Sequence, residues 1–143
     1  MAPREEDEAL KPRHRVLIVD DEESTRLLLA SMLSKDLGID AQLAGTCEQA
    51  LRFASNSIYD AILLDLLMPG IGGQALLGEI RRATPNAGTP VIIVSVVGDK
   101  ATVDACMAAG ASAYHHKPVR REELVAMVKA QIAARGRPKT ATR

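Results

Sequence analysis

VLIVDD, residues 16–21, sets four consecutive aliphatic residues against two aspartates. An apolar run this short, without polar alternation, reads as a strand covered on both faces. Strands of that kind belong to parallel sheets packed between helices, and such sheets bind ligands at the carboxyl ends of their strands. The design recurs along the chain: AILL (61–64) runs into Asp65, VIIV (91–94) into Ser95, and SAYHH (112–116) into Lys117 and Pro118. Asp20, Asp21, Asp65, Ser95 and Lys117 are therefore expected on one rim of one sheet.

Helical segments alternate with these runs. Glu22 to Leu37 is expected as an amphipathic helix with Leu27, Leu28, Met32 and Leu33 inward, stopped by Gly38. IDAQLAG (39–45) reads as a second strand. Thr46 opens the next helix, and Gln49 three residues on makes a capping box in which each side chain satisfies the other's backbone donor. After YDAILLD come the loop MPGIGG and a helix over 74–82; TPNAGTP (84–90) is a turn. Further helices are expected over 100–109, ended by Gly110, and over 120–134, ended by Gly136. Five strand-helix repeats with short links predict an α/β, doubly wound domain with a five-stranded parallel sheet and helices on both faces. It should occupy residues 14–134, between a charged N-terminal tail (1–13) and a basic C-terminal tail or linker start (135–143).

Composition narrows the setting. A chain of 143 residues, 47% hydrophobic but only 2% aromatic, has enough material for one aliphatic core. Lys plus Arg equals Asp plus Glu at 18 each, so no net field draws nucleic acid or an anionic membrane. No apolar stretch reaches membrane-spanning length and the start is charged rather than apolar, which points to a cytoplasmic protein with no membrane partner. Cys47 and Cys106 lie too far apart in sequence for a close-spaced metal or redox pair and are expected as buried free thiols.

The rim residues carry chemistry together that none carries alone. A single Asp, Ser or Lys at a strand end is ordinarily a cap or turn residue, but five at the same rim of successive strands form a pattern. Three neighbouring carboxylates repel unless a cation offsets them, and an all-oxygen site suits Mg²⁺, which keeps several waters. A carboxylate can also attack phosphorus, with metal and lysine stabilising charge on the transferring oxygens. Lys117 and the Ser95 hydroxyl are placed for that role.

In VLIVDDEE, ILLDLLMPGIGG, VIIVS and YHHKP, in kind, order and separation, the chain resembles the receiver domains of bacterial two-component response regulators over residues 14–134. The resemblance implies a flavodoxin-like strand order, 2-1-3-4-5. It implies that Asp65 accepts a phosphoryl group from a sensor histidine kinase, a histidine phosphotransfer protein or a small acyl phosphate. Asp20, Asp21, Asp65 and the Leu67 backbone carbonyl would hold Mg²⁺. Lys117, aimed by a cis peptide to Pro118, would pair with Asp65 and then with the phosphoryl group. Ser95 and Tyr114 would act as the switch, with Tyr114 swinging inward and the surface of the fourth helix, fifth strand and fifth helix changing. By the same resemblance the module would not be a conventional enzyme, but would assist its own phosphorylation and dephosphorylation. A downstream protein, an output domain or a second copy would read the surface, and the chain itself would not bind nucleic acid.

Three departures from the family pattern stand out. Gly72 lies where many members carry an acidic residue, which predicts a more flexible loop. Val96 follows the switch hydroxyl where a small residue is usual, and His116 precedes Lys117. His115 and His116 should face opposite sides of the strand and not chelate one metal. In receivers of this kind the residues two after the phosphoacceptor and two after the switch hydroxyl flank the path of the hydrolytic water; the resemblance puts the apolar Leu67 and Val97 there, which cannot orient it and so predict slow self-dephosphorylation. Two other readings compete: a phosphate-independent interaction or dimerisation module on the same fold, and a Mg²⁺-dependent phosphohydrolase, for which the chain has no insertion long enough to form a cap. No output domain follows residue 134, so the chain reads as a stand-alone regulator or a fragment of a longer protein.

Overall fold

In a computed structural model, which describes residues 13–135, five strands alternate with five helices. They are β1 (Arg15–Val19), α1 (Glu23–Leu37), β2 (Asp40–Ala44), α2 (Cys47–Asn56) and β3 (Ala61–Leu64). Then come α3 (Gly73–Ala83), β4 (Val91–Ser95), α4 (Lys100–Ala108), β5 (Ala113–His116) and α5 (Arg121–Arg135). Every strand pairing is parallel and the order is β2-β1-β3-β4-β5, as the resemblance implied. The strand order reverses between β1 and β3, and the crevice at such a switch point is where these sheets hold ligands. Of the expected tails (1–13 and 135–143), residues 1–12 and 136–143 lie outside the described residues, Gly136 among them, while Arg135 is the last residue of α5.

Alternation along the strands fills two aliphatic cores. Leu17, Val19, Ile62, Leu64, Val91 and Ile93 face one side and pack with α2, α3 and α4. Val16, Ile18, Leu63, Ile92 and Val94 face the other, against Leu29 and Leu33 of α1 and Leu124 and Val128 of α5. Both free cysteines are buried, Cys47 and Cys106 in the first core. Among the described residues no helix is long and apolar enough to cross a membrane.

The phase of α1 differs from the sequence expectation. Leu29 and Leu33 are buried, Met32 is half-buried, and Leu27 and Leu28 are about half exposed. Three successive leucines at 27–29 leave the helical phase open, and contact with the sheet selects the i, i+4 pair Leu29 and Leu33. Gly38 closes the helix with φ 64°, its N–H on Ser34 O. The cap at α2 also differs: Thr46 Oγ1 accepts from Gln49 N at 3.0 Å, but Gln49 Oε1 reaches back to Gly45 N at 2.9 Å, not to Thr46 N.

The TPNAGTP turn does more than connect. Buried Asn86 donates to Ala54 O and Ser57 O, both at 2.7 Å, and accepts from Tyr59 N and Thr89 Oγ1. It thereby ties the end of α2, the approach to β3 and the approach to β4 together. Arg81 of α3 donates to the carbonyls of Thr89 and Gly110, stitching α3 to the lead-ins of β4 and β5.

Candidate functional site

The sheet ladder runs one residue past three strands and so places three side chains. Asp20 N donates to Ala44 O, Asp65 N to Val19 O and Lys117 N to Ser95 O. Each comes directly after the last residue of its strand and is held by the backbone of a neighbouring one, which brings residues distant in sequence to a common rim. The Lys117-Pro118 peptide is cis.

Lys117 Nζ donates to Asp20 Oδ2 at 2.9 Å and to Asp65 Oδ2 at 3.1 Å. Each carboxylate commits its other oxygen to its own turn: Asp20 Oδ1 accepts from Glu22 N at 2.9 Å and Asp65 Oδ1 from Leu67 N at 3.1 Å. Both orientations are therefore fixed by a backbone donor on one side and an ammonium on the other. Asp20 and Asp65 are buried and Asp21 is exposed, and ligand oxygens of all three lie within 4.8 Å of one another. Three carboxylates against one ammonium leave a negative excess, so the donor set fits a hard, oxygen-seeking divalent cation. Burial disfavours charge on Lys117, but its hydrogen bonds to Asp20 and Asp65 and their negative charge outweigh that and hold its pKa above the ordinary lysine value.

Ser95 is buried, and its Oγ accepts from Val97 N at 3.3 Å. A hydroxyl that accepts still has a proton to donate. Tyr114 is half-buried against the first core and its hydroxyl donates to Val97 O. Leu67 and Val96 are exposed at the surface. His115 is buried and His116 exposed, so the pair does face opposite sides.

Two residues that support the rim went unread in the sequence. Arg26 of α1 donates from Nη1 to Asp20 O at 2.6 Å and lies over Gly45, where a Cβ would come within 2.8 Å of that nitrogen. Gly73 begins α3 so close to the end of β3 that a Cβ would sit 2.3 Å from Asp65 O. Neither had a sequence signal, because an arginine in a helix or a second glycine in a loop is ordinary until its neighbours are known. The adjacent Gly72 has φ 86°, a region L side chains rarely adopt, so an acidic residue at that position would be strained in this loop.

The family model described as response regulator receiver domain matches residues 16–129. The chain is 32% identical over 120 residues to the DNA-binding response regulator MtrA of Mycolicibacterium smegmatis, covering 84% of this chain and 51% of that protein. It is 34% identical over 113 residues to the sensory/regulatory protein RpfC of Xanthomonas campestris pv. campestris, covering 78% of this chain and 15% of that protein. The chain thus spans about half or less of the curated relatives it matches. Among solved structures it is similar to the receiver domain of the sensor histidine kinase PA1611 from Pseudomonas aeruginosa, with TM-score 0.75 and 28% identity over 85% of this chain and 99% of that one. That structure has a magnesium ion coordinated in its active-site cleft.

Proposed function

The chain belongs to the response regulator receiver domain family, a signalling module of two-component systems rather than a conventional enzyme, and from that premise we propose that Asp65 is its phosphoacceptor. The observation that carries the reading is Lys117 Nζ bridging Oδ2 of Asp20 and Oδ2 of Asp65, with Asp21 within reach. A carboxylate oxygen of Asp65 attacks phosphorus; the new O–P bond forms as the bond to the donor's leaving nitrogen or oxygen breaks. Lys117 then follows the charge from the Asp65 carboxylate to the phosphoryl oxygens, and Ser95 donates its free O–H to one of them. Asp20, Asp21, Asp65 and the Leu67 carbonyl would hold Mg²⁺, which supplies charge stabilisation for the transferring group.

The domain is assigned to residues 14–134 and to the cytoplasm. A histidine kinase or histidine phosphotransfer protein would be the donor, and the surface of α4, β5 and α5 the output, read by a partner protein, an output domain or a second copy. Tyr114 and Ser95 meet at Val97, which links the acceptor rim to that surface. With apolar Leu67 and Val97 beside the site, no side chain at those positions orients a hydrolytic water, so the phosphoryl group is expected to leave slowly.

Intact-mass analysis after incubation with acetyl phosphate tests the reading. One added phosphoryl group that requires Mg²⁺ and is absent in Asp65→Asn is expected. An unphosphorylated wild type, with acetyl phosphate and with a phosphohistidine donor alike, would leave the phosphate-independent interaction module as the reading.

A further inference from the structure

The loop between β4 and α4 is held down by two side chains of β5. Tyr114 and His116 are two residues apart on one strand and so project to the same side. Tyr114 donates to Val97 O, and His116 Nε2 lies 2.7 Å from Val96 O. A carbonyl oxygen only accepts, so Nε2 carries the proton, in the neutral ring as in the charged one. The imidazole also lies across Gly98, where a Cβ would stand 2.7 Å from Nε2 and 2.8 Å from Cδ2. Val96 is 57% exposed, so polar ties rather than side-chain burial fix this end of the loop.

These ties lead to the switch hydroxyl. The N–H of Val97, between the two clamped carbonyls, is the donor that orients Ser95 Oγ. We infer that His116 is a positioning residue: by clamping Val96 O over Gly98 it fixes Val97 N–H, and through it the Ser95 hydroxyl and the Tyr114 contact. The inference rests on the reading of Asp65 as phosphoacceptor and deepens it. It also gives a reason for a histidine before Lys117 and a glycine at position 98. The two form one device, since any side chain at 98 drives the ring off Val96 O.

The test is a cycle of His116→Val, Gly98→Ala and the double variant, with His116→Gln retaining a donor of similar reach. Two readouts are taken: the phosphorylation rate with acetyl phosphate and Mg²⁺, and the ¹⁹F resonance of Tyr114 in 3-fluorotyrosine protein without any donor. The chain has two tyrosines, so Tyr59→Phe assigns the line. Loss of one hydrogen bond is expected to slow phosphorylation roughly two- to tenfold in His116→Val. Gly98→Ala should match it, the double variant should be no slower than either, and His116→Gln should restore both rate and resonance. Unchanged rate and resonance in His116→Val, or effects of the two substitutions that multiply, would overturn the inference. A wild type that takes up no phosphoryl group sinks the Asp65 reading instead, and the fluorine cycle still decides whether His116 and Gly98 clamp the loop.

Discussion

Replacing Lys117 by methionine keeps most of the side chain's length and removes the only ammonium that reaches Asp20 and Asp65 among the described residues. At an effective dielectric of about 20, each contact near 3 Å is worth about 5 kcal/mol of gross attraction. Burying the three groups offsets most of that, but taking away one partner leaves two buried carboxylates facing each other. Such uncompensated charge costs about 3–5 kcal/mol, a large share of the stability of a domain this size. Lys117→Met is therefore expected to lower the free energy of unfolding by that amount at pH 7 in EDTA, read by urea denaturation with far-ultraviolet circular dichroism. Mg²⁺ should return about 2.7 kcal/mol at a hundredfold excess over its dissociation constant, and more than it adds to the wild type. Asp20→Asn in the same background should recover part of the loss. The wild type adds a check on sign: a raised lysine pKa stabilises the fold below about 10.5, and that stability is lost as pH climbs through the higher folded value, a loss the variant lacks. A variant as stable as the wild type, or a loss indifferent to both Mg²⁺ and Asp20→Asn, would refute the account of Lys117 as the shared counter-charge.

Three other outcomes are expected. Asn86→Ala strands the Tyr59 N–H and the Ala54 and Ser57 carbonyls in the core, and should cost about 3–5 kcal/mol in urea unfolding, as several buried groups go unpaired. His115 Nε2 accepts from Arg120 N while its Nδ1 has no partner among the described residues, and burial pushes its pKa below the ordinary value, with Glu123 opposing and Arg120 and His116 adding to the shift. Its folded state is thus neutral: its stabilisation is full above about pH 6.5 and falls as pH drops below that, by up to about 1.4 kcal/mol per unit. His115→Leu should flatten that part of the slope in urea midpoints measured from pH 7 to 5. Finally, Leu67→Asn combined with Val97→Glu should shorten the phosphoryl lifetime, followed by intact mass; an unchanged decay rate would show that these two positions do not set it.

The two-sided apolar runs were enough to read a parallel sheet from the sequence, because VLIV, AILL and VIIV leave no face for water. The order of Asp, Asp, Ser and Lys after successive runs was enough to place a common rim, since a parallel sheet sends every strand's carboxyl end the same way. Local chemistry was legible where it depends on near neighbours, as at Gly38, or on strand alternation, as for His115 and His116.

Tertiary structure decided what depends on distant partners. The inward phase of α1 came from contact with the sheet, because three adjacent leucines carry no phase of their own. Asn86 looked like a turn residue until three of its hydrogen bonds reached outside the turn, to Ala54, Ser57 and Tyr59. Arg26 over Gly45, Gly73 against Asp65 and His116 across Gly98 are close approaches in which a glycine's worth is set by an atom elsewhere in the fold. Sequence period fixes which residues face inward in a regular strand and which groups end it. The contacts that hold those groups at working distance arise only when separate strands and loops are packed together.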